Sequence, residues 1–200
     1  MATGDYCTLD ELKAKLWPTG STPDDAEDTP LASVITAVSR EFDNYCGRRF
    51  YTTAADETRY YTAEDAEILL PDDDIVSVTT LKTDGDGDGT YEETWTTSDY
   101  RLEPVNSALA GRPYTWITLK PQGTHSFPVI PHCVQIVGKF GYSATPAPIK
   151  EACLLQCIRW YRRKDAPFGV LGPNEMGQTT FIPKLDPDVQ RVLDSYRRVV

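Results

Sequence analysis

The stretch from Thr29 to Phe50, TPLASVITAVSREFDNYCGRRF, is the most strongly patterned part of the chain and constrains the rest. Leu31, Val34, Ile35, Val38, Phe42 and Tyr45 recur at three- and four-residue steps, which puts them on one face of a 3.6-residue helix. Thr29 is placed to act as N-cap, and Pro30 suits the first helical position, where its missing N–H would have had no partner. Gly47 is the expected left-handed residue at the far end, where Arg48 and Arg49 complement the negative pole of the helix dipole. A helix with such a stripe needs partners to cover it.

The chain offers three. Thr8-Leu9-Asp10-Glu11 has the form of a capping box, so a short helix is predicted over Leu9 to Leu16 with Leu9, Leu12 and Leu16 on one side, ended by Pro18 and Gly20. The acidic stretch Pro23 to Asp28 suits either an extra turn leading into the central helix or, given Pro30, a break. Helical pattern returns at Pro146 to Lys164, where Ile149, Cys153, Leu154, Cys157, Ile158, Trp160 and Tyr161 form a broad apolar face and Arg159, Arg162, Arg163 and Lys164 crowd the C-terminal end. A last helix is expected from Asp186-Pro187 through Val189, Val192, Leu193 and Tyr196 to Arg197-Arg198. The Gly/Pro-rich segment between Ala166 and Leu185 is long for a connection in a compact domain, and such loops are usually functional or mobile.

Between Glu57 and Tyr142 the periodicity becomes alternating. Strands are predicted near Thr58–Tyr61, Ala66–Leu70, Ile75–Lys82, Glu93–Trp95, Tyr100–Leu102, Tyr114–Leu119 and Cys133–Phe140, giving a small antiparallel sheet or barrel. Pro71-Asp72-Asp73-Asp74 reads as a turn between two apolar runs. The class is therefore α+β. The expected division is residues 1–55 (N-terminal helices), 56–143 (β-rich insertion), 144–165 (third helix) and 166–200 (extended arm and C-terminal helix). Tyr60, Tyr61, Tyr91, Trp95, Tyr100, Tyr114 and Trp116 all fall in the strand region, mainly as core and cross-strand packing, with any exposed subset suited to a protein interface.

With 200 residues and 40% apolar content the chain can bury a real core. No apolar run approaches the roughly 20 residues of a membrane span, and MATGDYCTLDEL lacks the layout of a signal peptide, so a soluble, non-secreted protein is expected. Five cysteines without C-x-x-C spacing fit reduced thiols, with Cys7, Cys46 and Cys133 as solitary small hydrophobes. Residues 150–200 hold nine Lys/Arg and six Asp/Glu, so they carry +3 and the first 149 residues carry −13. So acidic a body argues against ordinary sequence-specific nucleic-acid binding, yet suits a surface past which DNA must slide without sticking.

Motifs for chemistry are sparse. Asp84-Gly85-Asp86-Gly87-Asp88-Gly89 has the D-x-D-x-D-G spacing of a calcium loop, but the twelfth position, which should supply a bidentate Glu, is Trp95, and strands rather than helices flank it. An acidic turn between strands is the preferred reading, and no metal is assigned to Asp84, Asp86 and Asp88. Cys153 and Cys157 share a helix face but show no second ligand pair, and His132 and Cys133 would point to opposite faces of a strand. No P-loop, dinucleotide fingerprint or G-x-S-x-G occurs, so neither a cofactor nor an enzyme activity is expected.

The order of elements resembles a known family. The carriers are Asn44-Tyr45-Cys46-Gly47-Arg48-Arg49-Phe50, Leu70-Pro71 with Ile75-Val76-Ser77-Val78, the Asp-Gly loop before Tyr91, and Asp99-Tyr100. Gly138-Lys139-Phe140-Gly141-Tyr142 with Pro146 and Pro148, and Leu185-Asp186-Pro187-Asp188-Val189, complete the set. Together they resemble the head-tail connector (adaptor, head-completion) proteins of long-tailed bacteriophages and gene transfer agents. The resemblance implies a small antiparallel bundle of about four helices, with the β-rich insertion between the second and third. It implies a structural virion protein at the head-tail junction, assembled in the bacterial host cytoplasm, in a ring of about twelve subunits. Its partners would be the portal protein, tail-side stopper or terminator proteins and double-stranded DNA passing non-specifically, with no membrane.

The same resemblance implies a portal-docking arm and helix, here Phe168, Leu171, Phe181, Asp186, Val189, Arg191, Leu193, Tyr196, Arg197 and Arg198. It also implies a subunit interface on the flank of the central helix away from its apolar face, here Ser33, Thr36, Ala37, Arg40 and Glu41. The alternative from another class is a monomeric, calcium-dependent β-rich module that grips a ligand through the aromatics of the insertion.

Overall fold

Thr8 starts the first helix, α1 (Leu9–Leu16), by the predicted reciprocal cap: its hydroxyl accepts the Glu11 N–H at 3.1 Å, and Glu11 Oε2 accepts the Thr8 N–H at 2.9 Å. The computed structural model describes residues 4–17, 25–163, 170–171, 180–181 and 185–198. It divides into two units, Met1–Arg48 with Thr145–Val200, and Arg49–Ala144.

The first unit is a bundle of α1, α2 (Asp28–Cys46), α3 (Ala147–Arg162) and α4 (Pro187–Asp194). Helix α2 contacts each of the others. A 3₁₀ turn at Asp25–Glu27 runs directly into α2, so Glu27 rather than Thr29 takes the N-cap position. Pro30 then lies in the first turn, where no intrahelical acceptor is lost. Of the expected stripe, Leu31, Ile35, Val38 and Phe42 are buried, joined by Cys46, whereas Val34 and Tyr45 at its margins are half-buried. Gly47 caps the helix in the left-handed conformation, with φ 63°.

From α1 only Leu12 is fully buried, with Leu9 and Leu16 half-buried. Ile149, Ala152, Cys153 and Cys157 of α3 and Val189 and Leu193 of α4 complete the core. Asp186 caps α4 through the Asp188 N–H at 3.0 Å and binds Arg159 of α3 at 3.1 Å, while buried Gln156 accepts the Asp186 N–H at 3.2 Å. Within the Gly/Pro-rich segment, β8 (Val170–Leu171) and β9 (Thr180–Phe181) pair antiparallel.

The second unit contains all seven predicted strands: β1 (Glu57–Tyr61), β2 (Ile68–Leu69), β3 (Ile75–Thr83), β4 (Glu93–Trp95), β5 (Tyr100–Glu103), β6 (Trp116–Leu119) and β7 (Val134–Phe140). They form two antiparallel sheets, ordered β1-β7-β3-β4 and β2-β6-β5. A single bridge between Ile75 and Tyr114 joins them. Their inner faces share one core, including Tyr61, Leu69, Ile75, Leu81, Trp95, Ile117, Phe127, Ile136 and Phe140. Trp95 stacks on Phe127 with ring centres 4.6 Å apart, and its Nε1 donates to Thr83 Oγ1 at 2.9 Å. Two register shifts bend β3 between Ile75 and Thr80 as it crosses β7.

The Gly-Lys-Phe-Gly-Tyr motif has a backbone cause. A Cβ on Gly138 would overlap the Ser77 carbonyl oxygen at the β3 irregularity. One on Gly141, where φ is 99°, would overlap the Tyr51 carbonyl oxygen. Gly141→Ala is therefore expected to lower the unfolding free energy, measured by urea denaturation, by about 3 kcal/mol or more. Gly85→Ala, with open space around it, should stay within about 0.5 kcal/mol of wild type.

Candidate functional site

No described helix is long and apolar enough to cross a membrane. The first surface is the outer flank of α2. Ser33, Thr36, Ala37, Arg40 and Glu41 fall at three- and four-residue steps along one side; Ser33 and Ala37 are exposed and the others half-buried.

Arg40 is held within its own subunit. Its guanidinium pairs with Asp43 at 3.3 Å, lies 5.9 Å from the centre of the Tyr6 ring and donates to the Gly4 carbonyl. Tyr6 in turn donates its hydroxyl to Asp43. Glu41 is different: its Oε2 is buried and has no hydrogen-bond partner among the described residues. Burial pushes its carboxyl above the ordinary glutamate range.

A second surface, not signalled in the sequence, is a groove of about 520 Å³ between α1 and α3, lined by Glu11, Ala14, Lys15, Ala147, Lys150, Glu151 and Leu154. Its rim charges are paired across the two helices. Glu11 binds Lys150, and Lys15 lies 3.2 Å from Glu151. The Lys150 ammonium, followed by the Thr8 N–H, holds the Glu11 carboxyl below its usual range. Leu155, on the same helix, is half exposed.

The C-terminal residues predicted for docking divide into groups. Phe168 lies outside the described residues, as do the side chains of Leu171 and Phe181, whose backbones form β8 and β9. Val189 and Leu193 do not face outward, because the amphipathic α4 seals the bundle with them. Asp186 is engaged as a cap. Tyr196 is half-buried, and the N–H of half-buried Arg198 bonds to the Cys46 carbonyl at 2.8 Å. Arg191 and Arg197 are exposed, the latter 6.0 Å from the Tyr45 ring centre, whose hydroxyl donates to Asp194 at 2.6 Å.

In the Asp-Gly loop, carboxylate oxygens of Asp84, Asp86 and Asp88 lie within 4.8 Å of one another. Asp84, however, receives the N–H groups of Gly87 and Gly89 at 2.7 and 2.8 Å, while Asp88 receives that of Thr90 at 2.7 Å. Burial opposes the ionisation of Asp84, but the Gly89 and Gly87 donors outweigh it and hold the Asp84 pKa low. This is a turn that caps itself, and Trp95, at the would-be glutamate position, is buried in the core.

Exposed Tyr60 and half-buried Tyr91, with ring centres 5.5 Å apart, lie on the other unit from α2. No protein-family model matches the sequence. No curated protein matches it either. Solved structures do. A chain in the neck of an empty gene transfer agent particle, computed with C6 symmetry, matches at TM-score 0.59 and 20% identity over 100% of this chain and 93% of that one.

The chain has the fold of that neck component. A chain in the virion of the native gene transfer agent particle matches at TM-score 0.54 and 18% identity, and one in the native neck computed with C12 symmetry at 0.53 and 17%. Each match covers 100% of this chain and 93% of the other. The neck fold therefore accounts for both the helical unit and the β-rich unit between its second and third helices.

Glu41→Gln isolates the electrostatics of the α2 flank. A carboxyl whose folded pKa is raised takes up a proton on folding, so its contribution to stability improves as pH falls from 7 and worsens as pH rises. The variant should be at least as stable as wild type at pH 7, with a flatter stability profile below it in urea unfolding series.

Proposed function

We propose that this chain is a structural virion protein without catalytic activity, a ring-forming head-tail connector. In this reading it docks on the portal after DNA packaging, extends the DNA channel and offers the attachment surface for tail-side stopper or terminator proteins. The observation that carries the reading is the fold shared with gene transfer agent neck chains over the whole of this chain. The C6 and C12 symmetries of those necks favour a ring of about twelve copies.

A closed ring of identical subunits needs two different patches that fit each other, one on each side of the subunit. The α2 flank supplies one, where Glu41 offers a desolvated carboxylate to a cation of the neighbouring copy. The α1/α3 groove, with its aliphatic floor and rim lysines, supplies the other.

Acidity fits a DNA conduit. The second unit holds seven Lys/Arg against fifteen Asp/Glu, a net −8 of the chain's −10. Carboxylates facing a channel repel phosphates and keep the DNA from sticking. A solved ring with a basic lumen would contradict this role.

Docking falls to the Gly/Pro-rich arm, which contains Phe168, Leu171 and Phe181, together with exposed Arg191 of α4 and exposed Arg197 after it. An arm that orders on the portal loses conformational entropy at that step, which suits a stage-specific switch. Because Val189 and Leu193 belong to the bundle core, truncation from Ala166 onward would damage the fold as well as the arm. The decisive variant replaces residues 166–183 by a short Gly/Ser linker and keeps α4. It should retain wild-type helicity and lose portal binding in pull-down and mass photometry; retained binding would refute the docking role.

A further inference from the structure

Three of the five cysteines converge inside the helical unit. Cys153 and Cys157 lie one turn apart on the inner face of α3, and Cys7 reaches them from the segment before α1. The Cys7 and Cys153 sulfurs are 3.7 Å apart, those of Cys153 and Cys157 are 3.9 Å apart, and all three lie within 4.8 Å of one another. None is more than 1% exposed. Cys46 and Cys133 lie elsewhere, their thiols against the carbonyls of Leu193 and Pro131.

Two observations set this trio apart from thiols that merely fill space. Both neighbours of Cys7 are fixed: the Tyr6 N–H donates to Ser39 Oγ at 3.1 Å, and Thr8 is locked in the capping box. Ser39 Oγ also lies 3.8 Å from Cys153 Sγ, so the hydroxyl that anchors the segment borders the sulfur cluster. The second is spacing. Tetrahedral coordination with zinc–sulfur bonds of about 2.3 Å places neighbouring sulfurs about 3.8 Å apart, and the Cys7–Cys153 and Cys153–Cys157 separations bracket that value.

We propose that Cys7, Cys153 and Cys157 form a three-sulfur site for a thiophilic divalent d¹⁰ cation, Zn(II) or Cd(II), which ties the N-terminal segment to α3. Binding replaces the thiol protons, which leave to solvent, by metal–sulfur bonds, and no electron is transferred. Three thiolates around a divalent cation carry a net −1, whereas the same thiolates without it would bury three unpaired charges.

The test uses the full chain, reduced and kept free of oxygen. Equilibrated with Cd(II), it should develop the ultraviolet sulfur-to-cadmium charge-transfer band, saturating at one equivalent. Zinc-loaded protein should show three sulfur neighbours at about 2.3 Å by X-ray absorption. Cys7→Ser and Cys153→Ser should each reduce the band at least several-fold, while the Cys46→Ser/Cys133→Ser double variant keeps it. Where a serine variant unfolds by circular dichroism, the sulfur count of wild type decides. No band at excess cadmium, a band indifferent to Cys7→Ser, or fewer than three sulfurs would overturn the proposal.

Discussion

The apolar stripe of α2 is the surface on which the helical unit depends. Leu31, Ile35, Val38, Phe42 and Cys46 are each at most 2% exposed, and α1, α3 and α4 all pack on the helix that carries them. Each such side chain contributes on the order of 1.5–3 kcal/mol by leaving water, so no covering helix is dispensable. That is why the amphipathic α4 is drawn inward. Val189 and Leu193, predicted as interaction groups, serve the bundle.

The bundle is built from segments far apart in sequence, and the intervening chain solves its own closure. In the second unit Thr52 bridges to Gly141, the Tyr142 N–H bonds to the Tyr51 carbonyl, and Phe50 packs on Tyr142 with ring centres 5.2 Å apart. The entering and leaving strands of the insertion are thus zipped together by its own hydrogen bonds. Gly141 permits the close approach, since any Cβ there would meet the Tyr51 carbonyl. A motif that reads in sequence as a family signature is, physically, a backbone contact with no room for a side chain.

Elements governed by local rules were legible in the sequence. The capping box at Thr8, the cap at Asp186, the left-handed Gly47 and the existence of all seven strands follow from neighbours a few residues apart. What escaped were pairings between distant residues. Nothing local tells β2 to pair with β6 in a second sheet. Nothing links Cys7 to Cys153, 146 positions later, so a thiol that read as a solitary small hydrophobe joined the two that share a helix face only in the fold. The extra acidic turn before α2 was foreseen, but the N-cap falls at Glu27 rather than Thr29 because that 3₁₀ turn merges into the helix. The α2 flank was visible as the polar side of an amphipathic helix. Glu41's buried, unpartnered oxygen was not, because desolvation depends on packing rather than on residue type.

In the proposed ring, the α2 flank of one subunit meets the α1/α3 groove of the next, head to tail. Ala37 and Ala14 are exposed, one on each surface, so arginine at either site should leave the monomer folded. The direct measurement is mass photometry with portal protein of Ala37→Arg, Ala14→Arg and an equimolar mixture of the two. Each variant alone lacks one half of every contact and should form no ring, whereas the mixture retains one intact pair and should stop at heterodimers. Normal rings from either variant, or a wild-type chain that stays monomeric beside the portal, would contradict the account.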